Sequence, residues 1–199
     1  MNPLKSITST IILGFVVAFI LALIVTGPSN VTSLNVNSLV VWLHVFNGII
    51  WIGLLYYFNF VQAPAVAAAA ADTGGPGPAG INKYVAPRAL LWFRYAALLT
   101  WLTGAAALEV GGWGLMDSFK LEAGKELIGI GSWLGTIMLF NVWVLIWPNQ
   151  KKILGIVKVS AEEVAKAKVI ALMTSRTNAF LSIPMLMCMV GQGHGVLLL

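Results

Sequence analysis

The chain has only two histidines, His44 and His194, and both lie in long apolar runs. Two imidazoles on separate membrane helices could hold one metal from opposite sides, and a b-type haem iron suits that arrangement. On a helix, Gly48 and Trp51 share a face with His44, at i+4 and i+7. His194 stands in Gly191-Gln192-Gly193-His194-Gly195. Glycines there leave room for a flat ring, and Met187 lies on the same face. Asn47, Ser132, Gln192 and Glu109 are candidates to orient the two imidazoles. Structural histidines, each bonding a neighbouring helix, are the bland alternative. Copper is the competing metal, because Met185, Met187, Cys188 and Met189 are soft ligands. Helical geometry disperses those four around their helix.

A second group of polar residues consists of Arg94, Asn59 and Asn141. An arginine in hydrocarbon is costly and normally faces a partner or a cavity, although it can also snorkel to headgroups. Here it could serve a proton path, an anionic substrate or a cofactor propionate.

The elements that must position these residues are membrane spans. Of the 199 residues, 59% are hydrophobic and 10% charged, and mean hydropathy is +0.88. Soluble domains carry roughly 25% charge, so an all-α integral membrane bundle is expected. A span needs roughly 20 apolar residues, which gives about five spans. They fall near residues 10–26, 39–61, 88–110, 127–147 and 178–198, in one membrane domain over 1–199. The first should end at Gly27-Pro28 and the fourth at Pro148. The first reads as a retained anchor rather than a cleaved signal peptide. The alanine run 67–71 extends the second helix, and Gly74-Gly75-Pro76-Gly77-Pro78 is a flexible connection. Ser160 and Glu163 form a capping box. It opens a short amphipathic helix over 161–173, suited to an anionic lipid surface. Gly131 and Gly135 form a G-x-x-x-G, which permits close helix approach. Trp113 and Trp147 fit aromatic belts. Trp51, Trp101, Trp133 and Trp143 lie deeper and could wall a cofactor pocket.

Charge orients the spans. Lys5 marks the N-terminus, and Lys83 and Arg88 outweigh Asp72 in the second loop. Lys151, Lys152, Lys158, Lys166, Lys168 and Arg176 outweigh Glu162 and Glu163 in the fourth. The positive-inside rule puts these three segments in the cytoplasm and the C-terminus outside. At about 1.5 Å rise per residue, His44 and His194 then lie at one depth, roughly 8 Å below the outer surface. The net charge of +5 thus reports topology rather than nucleic-acid binding. The lone Cys188 allows no disulfide framework or zinc cluster, and there is no C-x-x-C-H.

Four segments suggest a family. Residues 43–61 (LHVFNGIIWIGLLYYFNFV) resemble the membrane domain of bacterial urate hydroxylases, the urate oxidase N-terminal domain. So do 87–94 (PRALLWFR), 141–152 (NVWVLIWPNQKK) and 175–185 (SRTNAFLSIPM), which together extend the resemblance over about 39–195. It implies a bacterial inner-membrane oxidoreductase that oxidises urate and passes electrons to a cytochrome c on the outer face. The family's marked positions fall on His44, Trp51, Asn59, Arg94, Asn141, Trp143 and Trp147. Family members are longer and usually carry a fused cytochrome c domain. These residues hold no covalent c-type haem motif, so a separate periplasmic carrier, a protein partner or a homo-oligomer is expected. The reading is a haem b redox protein with His44 and His194 as ligands and Gly48, Trp51, Gly191, Arg94 and Asn141 around the cofactor. The alternatives are a non-catalytic accessory subunit and a copper or small-molecule transporter. Transport would require a polar path from Arg94, Asn59 and Asn141 to Asn47 and Gln192.

Overall fold

A computed structural model describes residues 2–27 and 33–195. Pro28, and the expected end of the last span at 196–198, lie outside the described residues. The described chain is all-helical, with no strand among its residues. It divides into two compact units, Met1–Val36 and Asn37–Leu199.

The first unit carries α1, Ile7–Thr26, 20 residues with none buried. It has no charged residue and no internal proline, so nothing interrupts its backbone ladder.

The second unit begins with α2, Val36–Tyr57, which runs through a π turn, Phe58–Gln62, into α3, Ala63–Ala71. The alanine run does extend the helix. A second π turn, Ile81–Val85, leads into α4, Ala86–Val110. The short α5, Leu115–Phe119, precedes α6, Glu126–Phe140. A third π turn, Asn141–Ile146, leads into α7, Trp147–Ile153. The last helix, α8, spans Ala161–His194 without a break.

Two expectations need correction. The fourth helix does not stop at Pro148 but continues to Ile153. Proline lacks an N–H and its ring crowds the carbonyl four residues back. The chain meets both demands by widening the preceding turn. Each π turn stands directly before a helix with proline in its first two positions: Pro64, Pro87 and Pro148. The segment 161–173, in turn, is not a separate helix. It is the first part of the 34-residue α8, because no glycine or proline interrupts 171–178. The capping box is present: Glu163 N–H donates to Ser160 Oγ at 3.2 Å, and Ser160 N–H to Glu163 Oε2 at 3.4 Å.

Within the second unit the core joins α2, α4, α6, the third π turn and α8. Trp51, Leu55, Phe93, Ala97, Met138, Val142 and Met185 fill it. The outward surface is apolar too, with Ile49, Phe60, Trp92, Phe180 and Ile183 all more than 60% exposed. A water-soluble protein does not present contiguous surfaces of that kind. Buried polar residues, Thr100, Asn141, Asn178 and Ser182, point inward instead. In a membrane, hydrogen bonds and small residues hold helices together. Gly131 packs tightly, since a Cβ there would lie 2.9 Å from Cys188 Cβ, whereas one on Gly135 would meet nothing within 4 Å.

Candidate functional site

His44 lies on α2 against α4. A Cβ on Gly104 would come 2.8 Å from the ring's Cε1 and 2.9 Å from its Nδ1. The absent side chain is therefore the notch that admits the imidazole. Nδ1 of His44 lies 2.8 Å from the Thr100 carbonyl. A carbonyl only accepts, so Nδ1 carries a proton, and in the neutral ring Nε2 keeps its lone pair. Gly48, one turn on, faces the Thr100 methyl. Trp51 follows in the core, 2% exposed, and its indole N–H has no partner among the described residues.

His194 closes α8 and is exposed. Its Nδ1 lies 3.2 Å from the Val190 carbonyl of its own helix, so it adopts the same tautomer. No described contact joins it to His44. Gly191 is buried and its carbonyl accepts from Gly195 N–H. The four expected orienting residues reach neither imidazole. Asn47 Nδ2 donates to Leu43 O, and Ser132 Oγ to Ile128 O. Glu109 accepts from Leu115 N–H at the start of α5. Gln192 accepts from Ile128 N–H at 3.0 Å and so caps the first turn of α6.

The soft-ligand residues disperse as helical geometry requires. Met185 and Cys188 are buried in packing, while Met187 is partly exposed. No group of three or more His, Cys, Asp or Glu side chains suited to a metal occurs among the described residues.

At the other end of α4, the polar residues form four interhelical bonds. Tyr56 and Ser182 hydroxyls are 2.9 Å apart. Asn59 Nδ2 donates to Leu55 O and to Ser175 Oγ. Asn141 Nδ2 donates to Asn178 Oδ1 at 2.8 Å, and Asn178 donates to Met138 O. Sequence reading missed Ser175, Asn178 and Ser182, although three polar residues among the apolar ones of one helix are a readable signal. Asn59 Oδ1 and Gln62 Oε1 are buried without partners among the described residues. No described hydrogen bond links these groups to Asn47 or Gln192. Arg94 stacks its guanidinium over Trp147, 3.7 Å from the ring centroid, and its carbonyl accepts from Trp143 Nε1. Arg94 is six residues before Thr100, so it is about 9 Å along α4 from the His44 contact. Trp101 donates to Thr136 Oγ1 and Trp133 to Phe119 O, so the inner tryptophans mostly fasten helices.

Four helical stretches, Ile7–Thr26, Val36–Ala71, Glu126–Ile153 and Ala161–His194, are long and apolar enough to cross a membrane. The 25-residue α4, which carries Arg88, Arg94 and Glu109, is not among them. The fold is that of a helical membrane protein whose polar residues join its helices from within. Residues 109–198 match the family model described as urate oxidase N-terminal, consistent with a urate hydroxylase-like membrane domain. The match takes in the segments 141–152 and 175–185, whereas 43–61 and 87–94 lie outside it. No curated protein and no solved structure matches the chain.

Proposed function

We propose that this chain is a multi-pass inner-membrane redox protein that takes electrons from urate or a similar small reductant. It delivers them to a periplasmic carrier such as a cytochrome c. In this reading α4 also crosses, as the third of five spans, the N-terminus and the basic 151–176 segment are cytoplasmic, and α8 ends outside. The family match over 109–198 supports the link to urate.

A b-type haem is the cofactor of this reading, and the observation that carries it is the state of the imidazoles. His44 and His194 each place Nδ1 against a backbone carbonyl, which leaves Nε2 as the ligating atom. His44 fits such a role well. Its ring is fixed by Gly104 and Thr100, so ligation would not require ordering a free side chain. His194 is the second ligand in the proposal. The group, when bound, supplies one-electron transfer at the outer end. The chain's own residues hold each Nδ1 proton on a carbonyl, and Trp51 with Phe93 keeps water from the core below His44.

The test is a dithionite-reduced minus oxidised visible spectrum of the detergent-purified protein. A Soret band with a sharp alpha band is expected, lost or converted to high spin in His44→Ala and in His194→Ala. A colourless protein of full helical content would sink the haem reading. An unchanged low-spin spectrum in either variant would remove that ligand.

A further inference from the structure

Trp147 carries two cations. Arg94 Cζ lies 3.7 Å from its ring centroid and Lys151 Nζ lies 5.9 Å from it. Tyr95 adds a second ring, 5.5 Å from Arg94 Cζ. An aromatic face attracts cations, but it does not accept the in-plane N–H groups of a guanidinium. Arginine has five such donors. Among the described residues Arg94 makes no side-chain hydrogen bond or ion pair; beyond the helix ladder, its carbonyl accepts from Trp143 Nε1. The nearest acids in sequence to Lys151 are engaged with other lysines. Glu163 meets Lys152 at 3.9 Å and Glu162 meets Lys166 at 2.7 Å. Two positive charges thus share one ring and no carboxylate.

Arginine on a membrane helix is costly unless something compensates its charge. The missing group must be anionic, offer several acceptor oxygens and reach the end of the helices. An oxyanion such as phosphate meets all three conditions, since guanidinium forks match it bidentately. A lipid headgroup and a free anion share that chemistry. The location favours the lipid. Tryptophan prefers the headgroup level, and basic pockets between membrane helices bind anionic headgroups. Lys151 and Lys152 close α7 beside Trp147, which adds field of the same sign.

We propose that Arg94 and Lys151, held on Trp147, form a binding site for the headgroup phosphate of an acidic phospholipid. The site is independent of the haem reading and lies at the other end of α4.

The full-length protein in detergent is titrated with phosphatidylglycerol, with phosphatidylcholine and with inorganic phosphate, and its melting temperature is followed. Phosphatidylglycerol should raise the melting temperature, and the other two should not. The phosphatidylglycerol affinity read from that titration in detergent should weaken about fivefold for each charge removed in Lys151→Gln and Arg94→Gln. Arg94→Lys should retain part of the affinity. If Arg94→Gln does not fold, Lys151→Gln alone carries the test, because Lys151 is only partly buried and stands on the last turn of α7. An undiminished phosphatidylglycerol effect in the foldable variants would overturn the site. Equal stabilisation by inorganic phosphate, lost in the same variants, would overturn the lipid as occupant.

Discussion

Asn178 is fully buried and bridges two elements, accepting from Asn141 and donating to Met138 O. Replacing it with leucine leaves the Asn141 amide unpaired in an apolar interior. Interhelical hydrogen bonds in membranes contribute about 0.6 kcal/mol on average, and an orphaned buried donor costs about 1–3 kcal/mol. Asn178→Leu should therefore lower unfolding stability by about 1–3 kcal/mol, measured by denaturation in mixed micelles; an unchanged midpoint would show that the bond contributes nothing. Asp117 offers a second test outside the spans. The Lys125 ammonium, hydrogen-bonded to it at 2.7 Å, holds its carboxyl below the ordinary carboxylate range, and the charges of Lys125 and Lys120 act in the same direction. A depressed folded value means that the contribution is complete above the unfolded pKa and is lost as pH falls through the folded one. The link between α5 and α6 should hold at neutral pH and fail only below about pH 4. Asp117→Asn should abolish that pH step, and the effect should be small because the carboxylate faces solvent. Histidines, arginine and asparagines were legible as candidates from type and depth alone. Their partners were not, because His44 bonds a backbone carbonyl and every residue has one.

Glycines that look alike in sequence differ once the helices pack. Gly131 faces Cys188 and Met189 closely, whereas Gly135 has open space at its missing Cβ. Gly131→Ala should destabilise by about 1–3 kcal/mol through overpacking. Gly135→Ala should be neutral or slightly stabilising, since alanine favours helix by about 1 kcal/mol. Equal effects at the two sites would contradict the packing of α6 on α8. Proline illustrates the same limit on sequence reading. Read locally, Pro148 ends a helix, and a glycine-free polar stretch starts a new one. Packing against α8 holds α7 in line, and a widened turn accommodates the ring. The start of α8 was legible because Ser160 and Glu163 make its cap from side chains alone. Its continuity past 173 was not, because the change from amphipathic to apolar pattern resembles a boundary between two helices.

At the scale of the whole chain, hydropathy made the helices legible, and charge gave a direction that packing cannot supply. The four spanning candidates have that status by length and composition, and within the second unit α4 packs with the last three of them through Phe93, Ala96 and Ala97. The Glu126–Ile153 helix separates the loop holding Glu122 from the loop holding Lys158, so the two loops lie on opposite sides if it crosses. The positive-inside rule then assigns Lys158 to the cytoplasm, because its loop has the largest lysine and arginine excess. The native thiol hardly interferes with a labelling test, since Cys188 is 2% exposed and Cys188→Ser removes it. In that background, Glu122→Cys should react with a membrane-impermeant maleimide in intact spheroplasts. Lys158→Cys should react only after permeabilisation. The reverse pattern would invert the topology and move His44 to the cytoplasmic end. Labelling of both positions from the same side would mean that the Glu126–Ile153 helix does not cross, which would overturn the multi-pass reading.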